Sequence, residues 1–322
     1  MMKSKALLTS LVCVLPMLLA VPAAAQSDYP SRPVQLIVPF GAGDAIDGTA
    51  RLMSRRLQEE LGVPFVVRNV PGAGGGVGMA EANKADPDGY TLLVASTGAM
   101  TARPQISDSG YKTDDFVTIA QLVEVPIGLA VADGSEFESV KDVIAAAKAN
   151  PGSVKYSTPG PGSTQHLSME RFARDQGIEL THIGGRGGKG AVTKALTQEV
   201  DFVFVGASNY TSLSKAGQLR VLGVAAPETV SYLPDAPTFQ ELGYDFNAAV
   251  WFGLVTNRGI ADDRLQTLRA AVDKVANSGE TQELYGKYNL TPAYLNHDAF
   301  TQLIAETVEE NAQTLKTIGL IQ

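Results

Sequence analysis

The sequence predicts an α/β fold built on a largely parallel sheet. Short apolar runs recur along the chain, each closed by Gly or Pro and followed by a stretch with helical spacing. Such an alternation buries a parallel sheet under helices. The 322 residues suffice for two domains or one large one. The 32 glycines gather at the ends of the expected strands, and the composition carries no signature of disorder, collagen or coiled coil.

Residues 34–38 read as a buried strand, stopped by Pro39 and turned by Gly41-Ala42-Gly43. Asp47 is placed to cap the next helix, whose Ala50, Met53, Leu57 and Leu61 share one face. A second strand at 65–67 leads into the glycine loop 71–76 and a short helix at 77–85. Pro87-Asp88-Gly89 turns the chain into a third strand at 90–95. Another set begins after Ile119, with a strand at 128–131. Ser139 and Asp142 form a capping box for a helix that buries Val140, Val143, Ile144 and Ala147. A strand at 154–157 ends in Pro159-Gly160-Pro161-Gly162, and Ser163 caps the following helix. A strand at 180–183 runs into Gly184-Gly185-Arg186-Gly187-Gly188, and the helix beyond it carries Ala191, Val192, Ala195 and Leu196. Residues 201–205, 219–225 and 252–255 are further strands. Two helices end the chain. One is capped by Asp262 and buries Leu265, Leu268, Val272 and Val275; the other is capped by Asp298 and buries Phe300, Leu303, Ile304 and Val308.

The N-terminus predicts export. Lys3 and Lys5 precede an apolar run at 6–19, then the small-residue end Val21-Pro22-Ala23-Ala24-Ala25. That pattern is a secretory signal peptide over residues 1–25, with the periplasm as the destination. The run falls short of the ~20 apolar residues of a bilayer span, and Pro16 and Pro22 interrupt it. Cleavage would remove the single cysteine, Cys13, so the mature fold has no disulfide. It would also remove two lysines, taking the formal charge from -8 to -10. Such acidity disfavours nonspecific binding to nucleic acid or anionic lipid.

No catalytic pattern stands out. The histidines are His166, His182 and His297, without the i,i+4 spacing of a helical zinc pair and without a mature cysteine to join them, so no metal site is expected. The chain lacks a G-x-S-x-G elbow. Ile46 stands where a dinucleotide fingerprint starting at Gly41 needs glycine, and no Walker lysine follows either early glycine loop, so no cofactor is implied. What the loops at 41–46, 96–99, 160–165 and 184–188 share is position, after a strand and before a helix. Unpaired amides at a helix N-terminus favour an anion. The four loops either make tight turns only, or converge on one cleft at the carboxyl ends of strands.

Longer motifs run from end to end: Tyr29-Pro30-Ser31-Arg32-Pro33 before Leu36-Ile37-Val38-Pro39-Phe40; Asn69-Val70-Pro71-Gly72-Ala73-Gly74-Gly75; Ala85-Asp86-Pro87-Asp88-Gly89-Tyr90-Thr91-Leu92; Tyr156, Gly160, Gly162-Ser163-Thr164 and His166-Leu167; Leu233-Pro234-Asp235-Ala236-Pro237-Thr238; and Trp251-Phe252-Gly253-Leu254. Carrying them in this order, the mature chain resembles the extracytoplasmic solute-binding proteins of tripartite tricarboxylate transporters, the Bug family. The resemblance implies two α/β lobes of a type II-like periplasmic binding protein fold with a ligand cleft between them. It implies a monomer without enzymatic activity that captures a small carboxylate, with two or more acid groups expected, for the membrane permease subunits. Lobe 1 would hold 26–126 and 248–322, lobe 2 residues 127–247, with the hinge at the crossing strands near 124–130 and 246–252. A ligand sensor feeding a membrane kinase is an alternative on the same fold. A periplasmic hydrolase or isomerase is a remote one, and would need a polar dyad within hydrogen-bond reach.

Carried over residue by residue, the resemblance places one ligand carboxylate on the amides of Gly41, Ala42, Gly43, Asp44 and Ala45, with Ser96, Thr97 and Gly98 completing the first wall. Gly162, Ser163, Thr164, Gln165, Arg186, Gly187 and Gly188 would close from the second lobe. A guanidinium at Arg186 could hold a carboxylate bidentately, or pair with surface acids. Three departures from the family pattern bear on specificity. The first loop carries Asp44 and Ile46 in place of more glycine and a threonine; Asp44 either turns to solvent or a cap, or meets a ligand hydroxyl or amine. Gly184 and Gly185 replace a proline and a tyrosine, which suggests room for a bulkier or aromatic diacid. Gly206 and Ala207 lie in a segment that often holds an aspartate, so a like charge is missing there.

Overall fold

Two regions of strand–helix–strand repetition are joined by one strand too long to belong to either alone and by a second crossing of the chain beside it. The computed structural model describes residues 29–322, so the expected signal peptide at 1–25 lies outside the described residues. In the first region β1 (Val34–Val38) lies between β2 (Phe65–Asn69) and β3 (Thr91–Ser96), all parallel. The crossovers are α1 (Ala45–Leu61) and α2 (Gly76–Asn83). Beyond β3 come α3 (Thr97–Thr101) and α4 (Arg103–Ile106). The chain then enters β4 (Phe116–Ala132), which is 17 residues long.

The second region contains α5 (Val140–Ala149), β5 (Lys155–Ser157), α6 (Thr164–Gln176), β6 (Thr181–His182), α7 (Gly187–Leu196), β7 (Phe202–Gly206), α8 (Thr211–Lys215) and β8 (Leu219–Ala225). The chain returns through β9 (Ala249–Asn257), α9 (Asp262–Ala276), α10 (Gly279–Lys287), β10 (Thr291–Leu295) and α11 (His297–Thr317).

The expected parallel sheet is in fact mixed. Its strands follow the order β2-β1-β3-β9-β4-β7-β5-β6, with β8 and β10 also paired to β4. Parallel pairing survives where a helix crosses over, at β1 with β2 and β3 and at β5 with β6 and β7. β4 runs antiparallel to β7, β8, β9 and β10, and β9 antiparallel to β3. The partners of β4 change along its length. Residues 116–126 pair with β9, and from Ile127 onward the neighbours are β7 and β8. The chain crosses a second time beside this point, where Ile127 N–H donates to Ala248 O at 3.0 Å.

The apolar cores divide at the same place. Leu36, Val38, Met53, Leu92, Leu254, Leu268 and Val272 belong to one cluster. Ile127, Leu129, Val143, Tyr156, Phe172, Phe204 and Phe239 belong to another. A small third cluster of Ala102, Leu167 and Leu315, with Ile106 and Ile318 against it, ties α6 to α11 across the two regions.

Helix starts follow cap chemistry with three shifts from the sequence reading. Ser139 and Ser163 cap α5 and α6 as expected, accepting from Asp142 N and His166 N. Asp44, not Asp47, is at the N-cap of α1. Ala261 precedes α9, and Asn296 caps α11 through Oδ1 to Ala299 N–H at 3.0 Å. Asp47, Asp262 and Asp298 sit instead in the first turns, where an acid complements the helix dipole. Leu196 ends α7 facing outward, 38 % exposed, while Ala191, Val192 and Ala195 are buried.

Two of the long motifs bind each other. Tyr29 donates to Gly89 O at 2.5 Å, Ser31 N–H donates to the Tyr90 hydroxyl at 3.1 Å, and Arg32 pairs with Asp88 at 2.7 Å. The Arg32 guanidinium also lies 3.8 Å from the Tyr90 ring centre. These residues fasten the start of the described chain to the turn before β3. They build the scaffold behind the carboxyl ends of the strands, not the surface in front of them.

Candidate functional site

The first loop is held from beneath by a buried acid. Asp47 is 3 % exposed. Its Oδ2 accepts from Gly43 N–H and from Arg51 Nε, both at 2.9 Å, and its Oδ1 accepts from Asn69 Nδ2 at 2.9 Å. Asn69, at the end of β2, also donates to Phe40 O at 3.1 Å. Burial pushes the Asp47 carboxyl up, but Arg51, the Gly43 amide and the Asn69 amide outweigh it and hold the group below the usual carboxylate range. The loop is thereby fixed, and the Gly43 amide is already used. The first-turn amides of α1 remain the helix's open donors.

Asp44 behaves differently. It stands at the N-cap, yet its side chain makes no capping bond. It makes no hydrogen bond among the described residues, and its Oδ2 lies back over Gly41, 3.9 Å from where a Cβ there would be. The carboxylate is open to water but ringed by protein. That partial desolvation raises its pKa; Lys189 acts in the opposite direction and Asp47 in the same one.

In the second region the loops are stitched together by backbone. Gly185 N–H donates to Thr158 O at 2.7 Å and Gly187 N–H to Pro159 O at 3.0 Å, so 184–188 rests on 158–160. Gly162 N–H donates to His166 Nδ1 at 3.1 Å. Asn209 donates to Gly206 O at 3.2 Å, and its amide fills the space a side chain at Gly188 would need. This brings 206–207 beside 187–188. Arg186 and Lys189 are both exposed, and neither side chain makes a hydrogen bond or ion pair among the described residues.

The two regions meet over these loops. A Cβ at Gly98 would lie 3.1 Å from Thr164 Oγ1, Ile106 reaches against Gly162, and Lys189 feels Asp44. Loops 41–45, 97–98, 162–165 and 186–189 therefore line a common seam with helix N-termini on both sides. Thr97 contributes to the scaffold: it is 3 % exposed and its Oγ1 accepts from Trp251 N–H at 2.9 Å. Ser96 is buried as well. Two surface hollows, about 410 and 520 Å³, lie elsewhere, one by α2 and Arg103 and one between α6 and α11.

The model of the tripartite tricarboxylate transporter family receptor matches residues 49–320. The chain belongs to that family. A Cupriavidus necator protein, named for its place in the gbd 5' region, is 31 % identical over 304 residues, covering 94 % of this chain and 93 % of its own. Protein BugT of Bordetella pertussis is 31 % identical over 308 residues, covering 94 % and 93 %. Among solved structures, Rpa4515 of R. palustris with adipate superposes at a TM-score of 0.81 with 26 % identity, over 90 % of this chain and 98 % of that one. The periplasmic binding protein BugD superposes at 0.77 with 27 % identity, over 91 % and 99 %.

The protein is thus a solute-binding receptor with the two-lobe α/β fold of this family, and it is not an enzyme. Among the described residues no group of three or more His, Cys, Asp or Glu side chains is placed to hold a metal ion, and no helix is long and apolar enough to cross a membrane.

Sequence reasoning missed much of what supports the receptor's seam. Lys189 lies in the first turn of α7, three residues past Arg186, and no local motif marks it. Asn69 sat in a recognised motif without an assigned partner. His166 and His182 stack with ring centres 3.9 Å apart beneath the second-lobe loops. His182 Nε2 meets Thr158 Oγ1 at 2.8 Å, and the Tyr156 hydroxyl donates to Glu170 Oε1 at 2.5 Å. Burial, with His182 nearby, lowers His166 to about 3, and burial lowers His182 to about 4, so both rings are neutral struts.

One expectation is reversed. A Cβ at Gly185 would lie 2.5 Å from Ala191 N and 2.9 Å from Ala191 Cβ. The start of α7 occupies that space, so the absent tyrosine does not enlarge the seam for an aromatic diacid.

Proposed function

We propose that this receptor captures a small carboxylate between its two lobes and delivers it to the membrane permease subunits of a tripartite tricarboxylate transporter. It would act as a monomer in the periplasm after removal of residues 1–25. Lobe 1 is 26–126 with 248–322, and lobe 2 is 127–247. The partner change of β4 at Ile127 and the crossing at Ala248 support that division.

The observation that carries the ligand class is the pair Arg186 and Lys189 at the N-terminus of α7, two exposed cations whose side chains make no ion pair, with Lys189 in electrostatic reach of Asp44 on the first loop. Helix amides and unpaired cations together suit a carboxylate, and a neutral apolar solute would leave them unanswered. The adipate in Rpa4515 supports a carboxylate of modest size. Arg186, Thr164, Gln165 and the first amides of α7 would take the acid. The backbone of 41–45 with Gly98 forms the opposite wall. A solute touching both walls favours the closed lobes by its differential affinity.

Calorimetry over a panel of aliphatic and aromatic mono-, di- and tricarboxylates tests the reading. At least one should bind, with a decrease in radius of gyration by small-angle scattering. Selective binding of a neutral apolar compound, with every carboxylate inert, would overturn it.

A further inference from the structure

The charges on the two walls are opposite in sign, and this narrows the ligand. We infer that Asp44 sets specificity by requiring a hydrogen-bond donor at the lobe-1 end of the ligand, so that the solute carries a carboxylate at one end and a hydroxyl, amide or ammonium group at the other. The inference rests on the carboxylate-receptor reading above and refines it.

Three observations support it. The Asp44 carboxylate lies over Gly41, where an incoming carboxylate would otherwise meet the first loop. It has no hydrogen-bond partner among the described residues, and it does not cap α1 despite occupying the cap position. The charges are also nearly balanced for a monoanion. Asp47 is paired with Arg51 at 2.9 Å, which leaves Asp44 against Arg186 and Lys189. One carboxylate on the ligand completes that set, whereas a second would face Asp44 directly. Like charges brought together in a closed seam oppose binding strongly. An ionised carboxylate accepts hydrogen bonds and cannot donate them, so the group it selects must be a donor.

The test uses matched ligand sets on the same carbon frame at several lengths: butanoate, 4-hydroxybutanoate, 4-aminobutanoate and succinate, with the three- and six-carbon series and the para-substituted benzoates. Wild type and Asp44→Asn are titrated with each. Asparagine caps a helix as well as aspartate, and the side chain is exposed and unbonded, so equal unfolding midpoints are expected. In the wild type the tightest ligand should be a donor-bearing monocarboxylate, preferred over its dicarboxylate by on the order of 10²-fold. In Asp44→Asn that preference should shrink by about tenfold or more, with the dicarboxylate gaining. A wild type that binds a dicarboxylate best, or a preference unmoved by Asp44→Asn, overturns the role of Asp44 while leaving the carboxylate receptor intact. Binding of no carboxylate by either protein overturns the parent reading, and this inference with it.

Discussion

The two walls of the seam are built by opposite means. On lobe 1 the loop 41–47 is fastened through side chains: Asp47, buried, gathers Gly43, Asn69 and Arg51, and Asn69 reaches on to Phe40. On lobe 2 the loop 184–189 is fastened through backbone, with Gly185 and Gly187 bonded to Thr158 and Pro159. The side chains there, Arg186 and Lys189, make no hydrogen bond or ion pair, and Lys189 acts on Asp44 only at a distance. Apart from Asp44, the polar side chains of the first wall satisfy one another and fix its loop. A wall held by its backbone leaves its charged side chains free of structural duty, as the proposed carboxylate site requires. Stability should therefore be sensitive to substitution of Asp47 and its partners on the first wall, and affinity to substitution on the second.

Arg186→Ala gives the largest separation of the two. Binding of the cognate carboxylate should weaken by ~2–5 kcal/mol, because the acid would be left in the closed seam without its partner. Stability should change by no more than ~0.5 kcal/mol, as for other surface side chains without contacts. Calorimetry and urea unfolding on the same preparation read both. Unchanged affinity would remove Arg186 from the ligand wall.

Asp47→Ala should do the reverse. It strips an acceptor from the Gly43 amide and from Asn69 Nδ2, both bonds half-buried, and should cost about 1–2 kcal/mol in unfolding free energy. Asp47→Asn keeps an acceptor and should cost less. An alanine variant as stable as the wild type would show that the loop needs no such fastening.

Acid should loosen the second lobe by a separate route. Native His166 and His182 have pKa values of about 3 and about 4 against an ordinary 6.5. Between pH 6.5 and 4 the unfolded chain takes up protons that the native rings refuse, so stability falls as pH falls through that window. Unfolding midpoints at successive pH values should show this slope, and His182→Gln should flatten it. A flat profile in the wild type would show that the rings are not buried neutral struts.

The smallest effect concerns the meeting of the walls. Gly98→Ala places a methyl 3.1 Å from Thr164 Oγ1. It should weaken ligand binding by less than ~1 kcal/mol through imperfect closure, and in Thr164→Ala the same glycine substitution should cost less, since only contacting pairs couple. If the double variant merely adds the two losses, the contact is not part of the bound state.

The elements were legible wherever a local rule decided them. Ser139 with Asp142 and Ser163 announced their helices, and the apolar spacing of Ala50, Met53 and Leu57 announced the buried face of α1. β4 was legible only at its far end. Its first half carries Thr118, Gln121, Glu124 and Pro126, which break the apolar run, and it is a strand because β9 and β10 pair with it. Gln121 can be buried there because its Nε2 donates to Ala293 O at 2.9 Å and to Glu124. The candidate site was legible as a set of glycine loops, while Lys189, Asn69 and Asn209 became visible only through their spatial neighbours.

The sequence alone determined the family and the alternation of strand and helix, since these rest on residue type and spacing along one chain. Tertiary structure decided which strands run antiparallel, because pairing direction depends on how the chain returns and not on local pattern. It decided that Tyr29, Arg32, Asp88 and Tyr90 serve the scaffold. It also decided the fates of two acids three residues apart: Asp47 is turned inward and neutralised by three donors, and Asp44 is left facing the opposite lobe. An aspartate is favourable both at the cap and in the first turn of a helix; only the surrounding donors distinguish the buried strut Asp47 from the unbonded Asp44.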